Sequence, residues 1–220
     1  MKRFLQLLLA ALICSATLQA QETFPYWKEV QAFRASDSIA FPAPGQILFV
    51  GSSSFTRWTD VQQYFPKHKI LNRAFGGSSL PDLIRYRYDV LYPYEPKQIV
   101  MYCGENDFAA SDTVSVETVV NRFKLLFELT RFKFRNTPFM YVSMKPSPAR
   151  LKLLPKYVEA NKIIKKYLAT KKKTTFIDVY PRMLNTHGAP MPEIFVADSL
   201  HMNARGYAIW KKILESHLMK

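Results

Sequence analysis

The chain has 220 residues and carries 31 Lys and Arg against 17 Asp and Glu, a formal net charge of +14. That length can bury one sizeable core and leaves too little for two comfortable domains. Only Cys103 remains beyond residue 20, so that part of the chain cannot close an internal disulfide, and no apolar run in it is long enough to cross a bilayer.

Residues 1–20 read as a secretory leader. Lys2 and Arg3 open it, Phe4 to Ile13 is an apolar stretch too short for a comfortable membrane span, and Ala20 is a small residue at the cleavage point. Leu18 is an uncommon residue three positions before a cut, so a retained anchor is the alternative. An exported protein, periplasmic or secreted, with one domain over 21–220 is expected. Without Lys2 and Arg3 the balance is 29 basic to 17 acidic residues, a formal +12. Such a surface suits nucleic acid, an anionic membrane or an acidic polymer, and export argues against nucleic acid. Much of the charge lies between Lys145 and Lys173, in the pattern of a solvated helix face.

Five β-rich segments follow one another: Gln46–Val50, His68–Leu71, Gln98–Tyr102, Phe139–Ser143 and Thr175–Val179. Short continuous runs such as Ile47-Leu48-Phe49-Val50 predict strands covered on both faces, as in a parallel sheet. Helical patterns alternate with them. Ser79-Leu80-Pro81-Asp82 supplies a capping box and an early proline for a helix over Asp82–Leu91. Val116, Val119, Val120, Phe123, Leu126 and Phe127 share one helical face, Tyr157, Val158, Ile164 and Leu168 mark another helix, and Asn203 caps a last one carrying Tyr207, Trp210 and Leu214. The alternation predicts a three-layer α/β/α sandwich.

Four short blocks sit at strand exits or a helix entry: Val50-Gly51-Ser52-Ser53-Ser54, Asn72-Arg73-Ala74-Phe75-Gly76-Gly77, Gly104-Glu105-Asn106-Asp107 and Asp198-Ser199-Leu200-His201. They hold what acyl transfer needs: a hydroxyl nucleophile, a base, an orienting acid and oxyanion donors. Ser53 follows the first strand at a turn that Gly51 permits, with Ser52 and Ser54 as competitors. His201 is the expected base, because Asp198 three residues earlier can hold one imidazole nitrogen and leave the other for serine. His68, His187 and His217 lack such a partner and read as structural or solvent-facing. No second His or Cys lies at ligand spacing from His201, so zinc is not expected. Gly77 and Asn106 would add a backbone and a side-chain donor to the Ser53 N–H. Cys103, at a strand end, reads as a small core residue.

Taken together the blocks resemble those of the SGNH hydrolase superfamily, the GDSL-type esterases and lipases, across essentially the whole chain from Gln46 to the last helix. The resemblance implies a flavodoxin-like sandwich with a five-stranded parallel sheet. It also implies Ser53 as nucleophile, Gly77 and Asn106 as oxyanion donors, and Asp198 with His201 completing the triad. Two positions depart from the pattern: Ser52 stands where the family has Asp, and Ala74 where glycine is common. The Gly-x-Ser-x-Gly elbow of the α/β-hydrolases is absent.

Arg57 and Trp58 follow the serine by about one turn and are candidate substrate contacts, Trp58 being equally readable as core. Lys145 to Arg150 is expected as a basic rim. Short connections leave no long apolar lid. The expected activity is therefore ester hydrolysis without metal or cofactor, on a short acyl group, acetyl first, carried by a carbohydrate. A small lipid ester such as lysophospholipid, acyl transfer to a sugar, and a non-catalytic domain binding acidic glycan or an anionic surface are the alternatives.

Overall fold

The computed structural model describes residues 24–220; the leader expected over residues 1–20 lies outside the described residues. Five strands pair in parallel: β1 (Ile47–Gly51), β2 (Ile70–Asn72), β3 (Gln98–Tyr102), β4 (Phe139–Val142) and β5 (Thr174–Ile177). Their order across the sheet is β2-β1-β3-β4-β5, the flavodoxin-like arrangement that the sequence implied. Strands β1, β3 and β4 are buried along their whole length, which is why each reads as a continuous apolar run rather than an alternating one.

Helices cover both faces. Because side chains alternate along a strand, Leu48, Val50, Ile99 and Met101 face one layer and Ile47, Phe49, Val100 and Tyr102 the other. The first layer holds α1 (Trp27–Ile39), α4 (Leu80–Arg85), α5 (Arg87–Val90), α7 (Val116–Lys133) and α8 (Leu154–Ala169). The second holds α2 (Ser53–Thr56), α3 (Val61–Tyr64) and α9 (Ala204–Leu214), packed through Phe55, Trp58, Phe65, Trp210 and Leu214. One further short helix, α6 (Glu105–Ala109), follows β3.

The helix expected over Asp82–Leu91 is two helices. It starts as expected, with the Ser79 N–H donating to Asp82 Oδ2 at 2.9 Å. It breaks at Tyr86 (φ −91°, ψ 12°), whose ring enters the core and whose hydroxyl donates to the Pro25 carbonyl at 2.8 Å. Asn203 caps α9 as expected, accepting from the N–H groups of Arg205 and Gly206. Cys103 is a buried free thiol, matching its reading as a core residue.

The carboxyl ends of β1 and β3 lie side by side, where the strand order reverses direction. An open parallel sheet leaves its crevice there. Gly51 makes the exit from β1: at φ 142° its missing Cβ would lie 1.9 Å from the Tyr102 carbonyl oxygen, so no other residue fits. The Ser52 N–H donates to that same oxygen at 2.9 Å, tying the two strand exits together.

Candidate active site

Ser53 opens α2 directly after that turn, and its Oγ lies 3.0 Å from His201 Nε2. His201 Nδ1 lies 2.6 Å from Asp198 Oδ2. The three serines of the first block are thereby told apart. Ser54 is buried, and Ser52 is buried with its Oγ accepting from Asn106 Nδ2 at 2.8 Å, so only Ser53 offers a hydroxyl to the imidazole.

The acid and the base sit on one tight loop. Asp198 Oδ1 accepts the N–H groups of Leu200 and His201, both at 2.9 Å. Burial pushes the Asp198 carboxyl upward, but those two amides and the imidazole outweigh it and hold the group well below the usual carboxylate range. Ser199 takes a left-handed conformation (φ 57°) to close the loop. It is held from both sides, its N–H donating to Val196 O at 2.9 Å and its carbonyl accepting from the Ala149 N–H at 3.0 Å. A carboxylate fixed this way sets the imidazole tautomer and leaves Nε2 as the acceptor for the serine proton.

Gly77 and Asn106 meet beside Ser53. Asn106 Nδ2 donates to Gly77 O and to Ser52 Oγ, both at 2.8 Å. Here Ser52, standing where the resemblance leads one to expect Asp, acts as an acceptor that orients the asparagine. Among the described residues the N–H groups of Ser53 and Gly77 donate to no protein acceptor, so both can serve a ligand oxygen. Asn72 fastens the second block to the first, its Nδ2 donating to Phe55 O at 2.8 Å and its Oδ1 accepting from the Ala74 N–H at 3.1 Å.

The cleft over these groups has a volume of about 350 Å³, and Thr56, Arg57, Gly76, Arg150 and Leu200 complete its walls. Arg57 is therefore at the site as expected, its guanidinium 3.7 Å from Asp198 Oδ2. Trp58 is not. Helix α2 ends at Arg57 and the chain turns inward, so the Trp58 ring is fully buried and stacks on Tyr207 at 4.7 Å between centroids. The basic rim is also corrected in part. Arg150 lines the cleft, whereas Lys145 is buried, with Nζ 3.1 Å from Glu105 Oε2 and its N–H donating to Glu105 Oε1 at 2.9 Å. The Tyr102 hydroxyl donates to the same carboxylate. Since Glu105 precedes Asn106, this buried pair fixes the start of α6 and with it the asparagine.

Two further residues escaped the sequence reading. The Asp107 side chain is fully enclosed. Its carboxylate accepts the Leu80 N–H at 2.9 Å and pairs with Arg122 at 2.9 Å, and burial pushes it up despite both. Glu29 of α1 accepts the Gly76 N–H at 2.7 Å, with the Tyr26 ring packed where a Gly76 side chain would be. Gly76 (φ 37°) is thus gripped from the amino-terminal helix, and the peptide carrying the Gly77 N–H with it. No local motif announces a contact between residues 47 positions apart. His68 is structural, its Nδ1 2.9 Å from Met219 O.

The model of the GDSL-like lipase/acylhydrolase family matches residues 37–209. Among solved structures, one from Streptococcus pneumonia described as a candidate platelet activating factor is 20% identical and superposes with a TM-score of 0.75, covering 96% of this chain and 99% of its own. A GDSL-like lipase from Bacteroides thetaiotaomicron is 19% identical (TM-score 0.72; 86% and 96% covered). A catalytic variant of an acetylxylan esterase from Geobacillus stearothermophilus is 13% identical (TM-score 0.61; 78% and 94% covered). No curated protein matches the chain.

Proposed function

The chain belongs to the GDSL-like lipase/acylhydrolase family and is a carboxylic ester hydrolase, and from that premise we propose an exported serine esterase that removes short acyl groups, acetyl first, from carbohydrate. One domain over residues 21–220 would follow a leader over 1–20. The observation that carries the serine mechanism is the hydrogen-bonded series Ser53 Oγ, His201 imidazole, Asp198 carboxylate, at 3.0 and 2.6 Å.

The chemistry runs in two halves. His201 Nε2 takes the Ser53 hydroxyl proton as Oγ attacks the ester carbonyl, and the negative charge that develops on the carbonyl oxygen falls to the N–H groups of Ser53 and Gly77 and to Asn106 Nδ2. For the last of these, one amide hydrogen turns from Ser52 Oγ to the oxyanion. Asp198 balances the imidazolium, which then gives its proton to the departing alcohol and leaves an acyl group on Ser53. Water enters, loses a proton to Nε2 and attacks the acyl carbon. Collapse returns the proton to Ser53 Oγ and releases the acid.

The cleft favours a small acyl group on a polar alcohol. Of its nine lining residues only Leu200 is a large aliphatic, and the remainder are glycines or polar and charged groups. A long acyl chain would find little apolar wall to lie against. Both readings are tested by hydrolysis of p-nitrophenyl esters from acetate to octanoate. Turnover should fall steeply with chain length and vanish in Ser53→Ala. A preference for octanoate would overturn the short-acyl reading, and undiminished activity in Ser53→Ala would overturn the nucleophile.

A further inference from the structure

We infer that the groove beside Arg150 is a second substrate-binding site, holding an anionic group, carboxylate or phosphate, on the alcohol part of the ester. This rests on the ester-hydrolase reading above.

The groove lies between α6 and the 3-10 segment Pro148–Leu153 and has a volume of about 480 Å³. Arg150 lines both this groove and the catalytic cleft, so the two are neighbours across that residue. On the facing wall the groove begins at Phe108, two residues beyond Asn106. The 3-10 turn is interrupted at Arg150 (φ −122°, ψ 24°), and the Ala149 N–H pins the segment to Ser199 on the loop that bears Asp198 and His201. A substrate whose small acyl group sits at Ser53 can therefore extend the rest of its alcohol past Arg150 into this groove.

The chemistry of that groove comes from the state of Arg150. Arg73, Arg87, Arg122 and Arg131 are partly buried as Arg150 is, and each donates to a carboxylate or a carbonyl. The Arg150 guanidinium donates to none among the described residues. A guanidinium that holds no protein acceptor can turn its donors to an arriving anion without first breaking a pair. A guanidinium fork fits carboxylate and phosphate oxygens in pairs. Arg57, the other cation of the cleft, already faces Asp198. Lys152 adds positive charge to the groove, Asp112 supplies its one carboxylate, and Leu151 gives an apolar surface for the body of the alcohol.

The test pairs esters that differ only in the anion: acetylated xylo-oligosaccharides with and without a glucuronic acid branch, and 1-acetylglycerol 3-phosphate beside 1-acetylglycerol. At least one anionic member should exceed its neutral partner in kcat/KM by roughly tenfold, mainly through KM, with the advantage shrinking at high salt. The favoured pair identifies the source of the anion. Arg150→Gln should bring the ratio to near one, and Arg150→Lys should restore part of it. A ratio near one in the wild type for both pairs, or one that survives Arg150→Gln, overturns the site. The same ligands titrated into Ser53→Ala by calorimetry keep the two readings apart. Anion-selective binding without wild-type turnover would support the groove while sinking the esterase.

Discussion

The acid–base side of the cleft comes from four consecutive residues, Asp198 to His201. The side facing it draws Ser52 and Ser53 from the end of β1, Gly76 and Gly77 from beyond β2, Asn106 from beyond β3 and Glu29 from α1. A local loop carries its own geometry, since Asp198 binds two amides and the imidazole within three residues. A side assembled from distant segments depends on braces such as Glu29 on Gly76 and Lys145 on Glu105. Removing the base on the first side should therefore harm chemistry with little loss of stability, and changes on the second should mix the two.

The sharpest division is expected from His201→Ala, which removes the base and should lower kcat by about 10⁴-fold or more with thermal stability nearly unchanged. A large fall in melting temperature would break the comparison. Next comes Lys145→Met, which leaves Glu105 buried without its cation and should cost about 3–5 kcal/mol in denaturant unfolding. Wild-type stability in that variant would mean the pair braces nothing. Asn106→Ala should reduce kcat by about 10²–10³ at similar KM, and a change confined to KM would remove Asn106 from the oxyanion side.

Glu29→Gln weakens the acceptor of the Gly76 N–H and should lower kcat by about 3- to 10-fold, with KM held. If stability fell while kcat stood, Glu29 would only be packing. The smallest effect concerns pH. Because the folded state holds the Asp198 carboxyl low, its stabilisation is complete at neutral pH, begins to fade as pH falls through the ordinary carboxylate range and is gone only below the lowered folded value. Wild type should lose more stability than Asp198→Asn between about pH 5 and pH 2, and the two should run parallel above that. Equal acid slopes in thermal melts would contradict the coupling.

The same division explains what could be read from sequence. Strand exits and the Asp198–His201 spacing are local patterns, and the buried strands announce themselves as apolar runs. Helix boundaries were less legible, because the break at Tyr86 is decided by a ring seeking the core and a hydroxyl seeking Pro25. Lys145 was misplaced, and Trp58 was left open between substrate contact and core, for a related reason. Residue type suggested rim and substrate, while a turn after α2 and a carboxylate from 40 positions away drew both inward. The choice among three adjacent serines needed the asparagine that occupies Ser52.

Ser53 and His201 are 148 positions apart, and the Tyr207 hydroxyl of α9 donates to Ser54 O at 3.0 Å, seating the last helix against the first serine block. Catalysis can thus begin only when the two ends of the hydrolase fold have found each other. Ester turnover during refolding becomes a clock for that closing event, and it should lag behind any signal that reports the sheet alone.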